Sequence, residues 1–156
     1  MVGLHMLSQF LRNAVERHLD ETMPIMDELD NDVITKTPFD GGRPLGEVIL
    51  HMLRSIEFYL VGLSKESWEP LPYSIEVYNS ADKIKSLAKQ VFEKAREQIK
   101  QLVHLDLQQV HESFNRRAST AEILLEMIEH SIHHRGQITV YYRLLGKQVP
   151  SIAYII

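Results

Sequence analysis

Apolar residues recur in steps of three and four along four stretches of the chain, the spacing that an α-helix gathers onto one face. In the first stretch, roughly Val2 to Thr22, Leu4, Leu7, Leu11, Ala14, Val15 and His18 share a face, and Arg12, Glu16, Arg17 and Asp20 take the other. Pro24 closes or kinks that helix, because proline lacks an amide donor and crowds the preceding turn. In the second, roughly Leu45 to Leu63, the buried face is Leu45, Val48, Met52, Ser55, Ile56, Tyr59 and Leu63, with His51 at its edge. Asp40-Gly41-Gly42-Arg43-Pro44 is the turn that leads in, and Gly62 and Ser64 mark the end. The third starts at Ser80, with Asp82 in its first turn. It lines up Ile84, Leu87, Val91, Phe92, Ala95, Ile99, Leu102 and Val103, while Lys83, Lys85, Lys89, Glu93, Lys94, Glu97 and Lys100 form a solvated face. The fourth opens on a capping box, Ser119 as N-cap and Glu122 three residues on, and runs to about Leu145, where Gly146 is a natural C-terminal cap.

The segments between these helices carry their own signals. Residues 64–79, with Pro70, Pro72 and the aromatics Trp68, Tyr73 and Tyr78, are longer than adjacent antiparallel helices need, which predicts a crossover with the aromatics packed on the bundle end. A second connection, Leu105 to Arg117, alternates Leu105, Leu107 and Val110 and reads either as a short extended piece or as a turn of helix; Arg116 and Arg117 are expected to be exposed. The acidic residues Asp27, Glu28, Asp30 and Asp32 lack a glycine-centred calcium loop and read as a solvated helix end. The apolar tail from Val149 to Ile156 is expected to pack on the bundle or on a second copy. Four long helices and no convincing strand predict an all-α protein, a four-helix bundle with long crossover connections in one domain, residues 1–156.

Composition narrows the function classes. A net charge of −4 gives no footing for nucleic acid. No apolar run approaches the roughly 18 residues of a membrane span, and the start lacks a signal-peptide pattern, so a cytoplasmic setting is expected. With no cysteine there is neither a disulfide framework nor a cysteine nucleophile. Any thiol chemistry would use a thiol brought in from outside.

The candidate chemistry sits in the fourth helix. Its inward stripe reads Ile123, Met127, His130, His134, Ile138, Tyr141 and Leu145, so two imidazoles about 40° apart interrupt a face built for a core. The spacing alone is weak, since eight histidines in this length supply roughly 0.4 such pairs by chance. Nor is it the zinc-protease motif, because Ser131 stands where that motif needs a glutamate. His51, on the inner edge of the second helix, is a third candidate. Three imidazoles would make a metal site with open positions; alternatively the rings are buried and satisfied by Glu129, a tyrosine or the backbone. His133, one position off the stripe, reads as a group supporting the ligands or as packing. Arg135 and Gln137 are expected to bond to neighbouring helices, Gly136 to mark a close helix–helix contact, and Arg54 and Glu57 to form a same-helix ion pair. His5, His18, His104 and His111 show no ligand spacing.

His130-Ser131-Ile132-His133-His134-Arg135-Gly136-Gln137, followed by Tyr142-Arg143-Leu144-Leu145-Gly146 and Val149-Pro150, closely resembles the C-terminal helix of DinB-like proteins. Gly41-Gly42-Arg43-Pro44-Leu45-Gly46 leading into His51-Met52 resembles that family's second helix. The resemblance implies a four-helix bundle with a crossed connection, a homodimer, and a divalent-metal site whose three histidines fall on His51, His130 and His134. Three imidazoles suit zinc or nickel, and also iron or manganese. Some relatives are thiol transferases or isomerases that use bacillithiol, mycothiol or glutathione at the metal; many others have no known activity. The expectation is therefore a metal-dependent enzyme acting on a small molecule, with transfer of a low-molecular-weight thiol to an electrophile first and hydrolysis second. The rivals are a non-catalytic sensor and a dimeric scaffold. No general base stands out; His133 and the pair Tyr141 and Tyr142 are near enough to be candidates.

Overall fold

Each periodic stretch is a helix: α1 spans Val2–Asp27, α2 Leu45–Lys65, α3 Ala81–Leu102 and α4 Thr120–Leu144. The computed structural model describes residues 2–102, 106–113 and 116–152. The expectations for the side chains of Leu4 and Leu102, for Val103, His104 and Leu105, and for residues 153–156 of the tail lie outside the described residues. No described helix is long and apolar enough to cross a membrane.

The helices pack as a ring in the order α1, α3, α2, α4, with α1 and α2 on one diagonal and α3 and α4 on the other. Side-chain bonds set their directions. Arg135 meets His18 and Tyr142 meets Ile25, so α4 runs parallel to α1. Glu57 pairs with Lys94 and Ser64 with Gln98, so α2 and α3 are also parallel. Tyr59 bonds Glu126, which makes α2 and α4 antiparallel. The order is thus up, down, down, up, and the connection between α2 and α3 is the expected crossover.

That crossover corrects one expectation. Its aromatics do not cap the bundle end; the chain doubles back along the length of α2. Trp68 lies over Gly62, where a Cβ would collide with the indole. The Tyr73 hydroxyl bonds Glu57, and the Ile75 amide donates to Glu47 Oε1 at 2.6 Å. Seating Trp68 is the role of Gly62, so α2 runs past it to Lys65 and is capped by Glu66 in the left-handed region at φ 53°. Likewise α1 continues through Pro24 to Asp27, because Ile25 and Met26 beyond the proline are fully buried and outweigh one lost hydrogen bond.

The second connection resolves into a hairpin, β1 Val110–Ser113 and β2 Arg116–Ser119, antiparallel with Val110 opposite Ser119. The chain therefore does contain strand, though only these eight residues among those described. His111 is buried in it and its Nε2 lies 2.8 Å from Thr120 Oγ1. The capping box of α4 is present in both directions: Ser119 Oγ accepts from the Glu122 amide, and the Glu122 carboxylate accepts from the Ser119 amide at 2.7 Å. Beyond α4, Lys147 pairs with Asp30 and Asp32, tying the acidic patch to the end of the last helix. Val149 and Ile152 then pack against the core.

Candidate metal centre

The contact between α2 and α4 brings together the three imidazoles. One ligand nitrogen from each of His51, His130 and His134 lies within 4.8 Å of the others. Ring centroids are 4.5 Å apart for His130 and His134, 4.7 Å for His51 and His134, and 5.1 Å for His51 and His130. The two α4 rings point their Nε2 atoms at each other across 3.2 Å. Burial and mutual repulsion keep the cluster neutral. His51 is pushed down to about 4, first by burial and then by His134, His130, Arg54 and Arg43. His130 is lowered by burial, then by His134 and His133. His134 is lowered by burial, with the Gln137 hydrogen bond opposing. Neutral imidazole is the form that ligates a metal.

Hydrogen bonds show how far each ring is prepared. Gln137 Oε1 lies 2.9 Å from His134 Nδ1; an amide oxygen only accepts, so Nδ1 carries the proton and Nε2 is left with its lone pair. Arg54 Nη2 lies 3.1 Å from His51 Nδ1, and a guanidinium only donates, so that nitrogen accepts. An ion on His51 would displace either Arg54 or the proton on the other ring nitrogen. His130 Nδ1 is buried with no partner among the described residues. The donor set of three nitrogens, all half-buried and without a carboxylate in the group, fits a divalent ion with open coordination positions.

Other expected residues fall in varied places. His133 is exposed, its ring edge-on to His134 at 5.1 Å. Arg135 is buried and bonds α1 as expected, through His18 Nδ1 at 3.2 Å and Glu21 at 2.6 Å. Gln137 does not reach a neighbouring helix; it holds His134 and lies 3.4 Å from the Tyr141 hydroxyl. The expectation of a neighbouring helix overlooked the partner on its own helix, although an amide three residues after an imidazole is well placed to reach it. Gly136 is exposed on the face opposite the histidines, and among the described residues nothing lies within 4 Å of where its side chain would begin, contrary to the close helix contact expected. Arg54 and Glu57 do not pair. Arg54 turns to His51 and the Tyr73 carbonyl, while Glu57, buried, takes the Tyr73 hydroxyl and Lys94, because the crossover offers both a closer partner.

Tyr59 and Tyr141 border the cluster. Tyr59 stands 6.4 Å from the His130 ring and donates to Glu126, and its hydroxyl is pushed up to about 12, mainly by burial. Tyr141 meets Phe39 edge-on at 5.5 Å. Tyr142 instead donates to the Ile25 carbonyl at 3.0 Å and belongs to the α1 contact. A groove between α1 and residues 150–152 contains none of the three histidines.

A model of the DinB family matches residues 5–156. YjoA of Bacillus subtilis (strain 168), an uncharacterized protein, is 24% identical over 132 residues, 83% of this chain and 84% of YjoA. The crystal structure of YjoA superposes with a TM-score of 0.75 at 21% identity, covering 91% of this chain and 95% of that one. A DinB-like protein from Bacillus cereus ATCC 10987 gives 0.73 at 25% identity, covering 87% and 91%. YfiT from Bacillus subtilis, described as a probable metal-dependent hydrolase with an unusual four-helix bundle topology, gives 0.62 at 15% identity, covering 90% and 89%.

Proposed function

This chain belongs to the DinB family, and we propose that it is a divalent-metal-dependent enzyme whose ion is held by His51, His130 and His134. The observation that carries the reading is the convergence of three neutral imidazoles from two helices, one of them oriented by Gln137. When bound there, a divalent ion held by His51, His130 and His134 would supply acidification of a thiol or water at neutral pH. Zinc and nickel fit the donor set best, with iron or manganese next.

The reaction that fits best is transfer of a low-molecular-weight thiol to an electrophilic small molecule. No carboxylate belongs to the imidazole group, and Glu126 is engaged by Tyr59 and Arg116, so a dedicated base for water is not supplied from the described residues at the cluster. A thiol, already acidic, needs less help than water. Arg43 and Arg54 add positive charge beside His51, which favours an anionic cosubstrate. Hydrolysis is the second reading, supported by the description of YfiT. The reading includes a homodimer and a cytoplasmic setting, where such thiols stay reduced. His133, exposed beside His134, is proposed as an outer group near the ion rather than a ligand.

The test is elemental analysis of untagged protein never exposed to nickel resin, beside His51→Ala and His134→Ala. About one equivalent of metal in the parent, lost in both variants, supports the site, and turnover of an electrophile with glutathione or bacillithiol then identifies the reaction. A metal-free parent as stable as both variants would leave a helical scaffold.

A further inference from the structure

Two of the three imidazoles meet a side chain three residues further along their own helix, and the two partners are chemical opposites. On α4, Gln137 Oε1 lies 2.9 Å from His134 Nδ1. On α2, Arg54 Nη2 lies 3.1 Å from His51 Nδ1. The amide oxygen accepts, which leaves His134 Nε2 its lone pair; the guanidinium donates, so the single proton of a neutral His51 stands on Nε2. One ring is prepared to ligate and the other is blocked. If His51 ligates through Nδ1, Arg54 must leave that atom. If it ligates through Nε2, the proton moves to Nδ1, and N–H then faces N–H. Keeping the bond with Nε2 as ligand would take a ring stripped of both protons, and the group includes no carboxylate to remove the second.

Once off His51, Arg54 stays at the cluster. Its Nη1 lies 3.3 Å from the Tyr73 carbonyl, and that stretch of the crossover is fixed on α2 by the bonds of Tyr73 to Glu57 and of the Ile75 amide to Glu47. Glu57, three residues along α2, is already taken by Tyr73 and Lys94. A half-buried guanidinium left with one neutral partner is a receptor for an anion, and a carboxylate matches its fork. Arg43 is exposed, has no hydrogen-bond or ion-pair partner among the described residues, and places its charge near His51 and His134. We propose that Arg54 and a divalent ion compete for His51, and that Arg54, released from the ring, takes the carboxylate of an anionic cosubstrate. This rests on the three-histidine reading above and adds a coupling to it. Ion and carboxylate each favour the released position of Arg54, so each strengthens the binding of the other.

The first test needs no variant: long-range proton–nitrogen NMR of the metal-free parent is expected to place the His51 proton on Nε2 and the His134 proton on Nδ1. In Arg54→Gln an amide stands at the spacing by which Gln137 serves His134, and the His51 proton is expected on Nδ1. Zinc affinity, by chelator competition, is expected to rise about 10–100-fold in Arg54→Gln. Arg54→Met, which removes the donor without supplying an acceptor, is expected to fall between the two, with helix content unchanged in both. By calorimetry on zinc-loaded protein, the preference for 3-mercaptopropionate over 2-mercaptoethanol is expected to be about tenfold greater in the parent than in Arg54→Met. A parent with the His51 proton on Nδ1 overturns the proposal. So does zinc binding no tighter in either variant than in the parent, or a preference for the carboxylated thiol that Arg54→Met leaves unchanged. A parent that binds no zinc fails the three-histidine reading itself and the proposal with it, whereas a parent that binds zinc as tightly as both variants fails the proposal alone.

Discussion

His18 makes the fold sensitive to acid in a way that one substitution can isolate. It is 4% exposed, its Nδ1 accepts from Arg135 Nη1 at 3.2 Å, and its Nε2 is buried without a partner among the described residues. Burial first, and the Arg135 charge second, push its pKa from 6.5 down to about 4. The unfolded chain therefore takes up a proton near 6.5 while the folded chain resists until about 4. Between these values the unfolded state binds more protons, so stability rises with pH and is lost as pH falls through the window. At about 1.36 kcal/mol per tenfold change, the full gap is on the order of 3 kcal/mol, and about 2.5 kcal/mol of it is lost by pH 4.5. That is a large share of the roughly 5–15 kcal/mol that holds a domain folded. In His18→Asn the Oδ1 atom takes the place of Nδ1 and still accepts from Arg135, yet does not titrate. The variant loses some packing at every pH, so the informative quantity is the difference between the two profiles. Urea unfolding from pH 7.5 to 4.5 is expected to show the parent losing about 2.5 kcal/mol more than the variant, a midpoint difference of roughly 1–2 M. The other depressed imidazoles are common to both proteins and cancel. Parallel profiles, agreeing within about 0.5 kcal/mol throughout, would refute the reasoning.

Gln137→Leu removes the acceptor that orients His134, and metal affinity in a chelator competition is expected to fall about 10–100-fold with the helix content unchanged. Gly62→Ala drives a methyl group into the Trp68 indole; a loss of about 1–3 kcal/mol is expected, with a shift in the emission of this single tryptophan. Glu66→Gly relieves a non-glycine residue at φ 53° on an exposed cap and is expected to raise the melting temperature, by about 0.5–1 kcal/mol in stability terms.

Much of the architecture was legible because it is local. The four helices announce themselves through apolar spacing, and the capping box of Ser119 and Glu122 fixes where α4 begins. The three histidines were legible for the same reason: two fall one turn apart on an inward stripe, and the third lies at the edge of another. What escaped depends on residues far apart in the chain. Arg54 and Glu57 have the spacing of an ion pair, but the returning crossover puts Tyr73 between them and α3 brings Lys94. Gly62 looks like a helix terminator until Trp68 is seen to need the space. The hairpin at 110–119 is too short and too polar for alternation to declare it, and its register is set by Gln109 and Leu107 bonding the first turn of α4. The sequence marks Gln137 for a neighbouring helix, yet its amide oxygen is taken within α4 by His134, three residues back, a contact as local as the helix itself.

The up, down, down, up order also governs how the molecule comes into being. As the chain is synthesised, α1, α2 and α3 emerge first, yet α1 and α2 lie on a diagonal, and the space between them is filled by α4. At about 5–20 residues per second, the 25 residues of α4 keep the nascent chain waiting for seconds with the apolar flanks of α1 and α2 bare to the ribosome surface and to any holdase nearby. His51 waits as well, apart from the other two imidazoles, until His130 and His134 arrive on the closing helix. The three imidazoles are thus gathered only when α4 docks, and a chain cut short before α4 has neither a closed core nor the full histidine group.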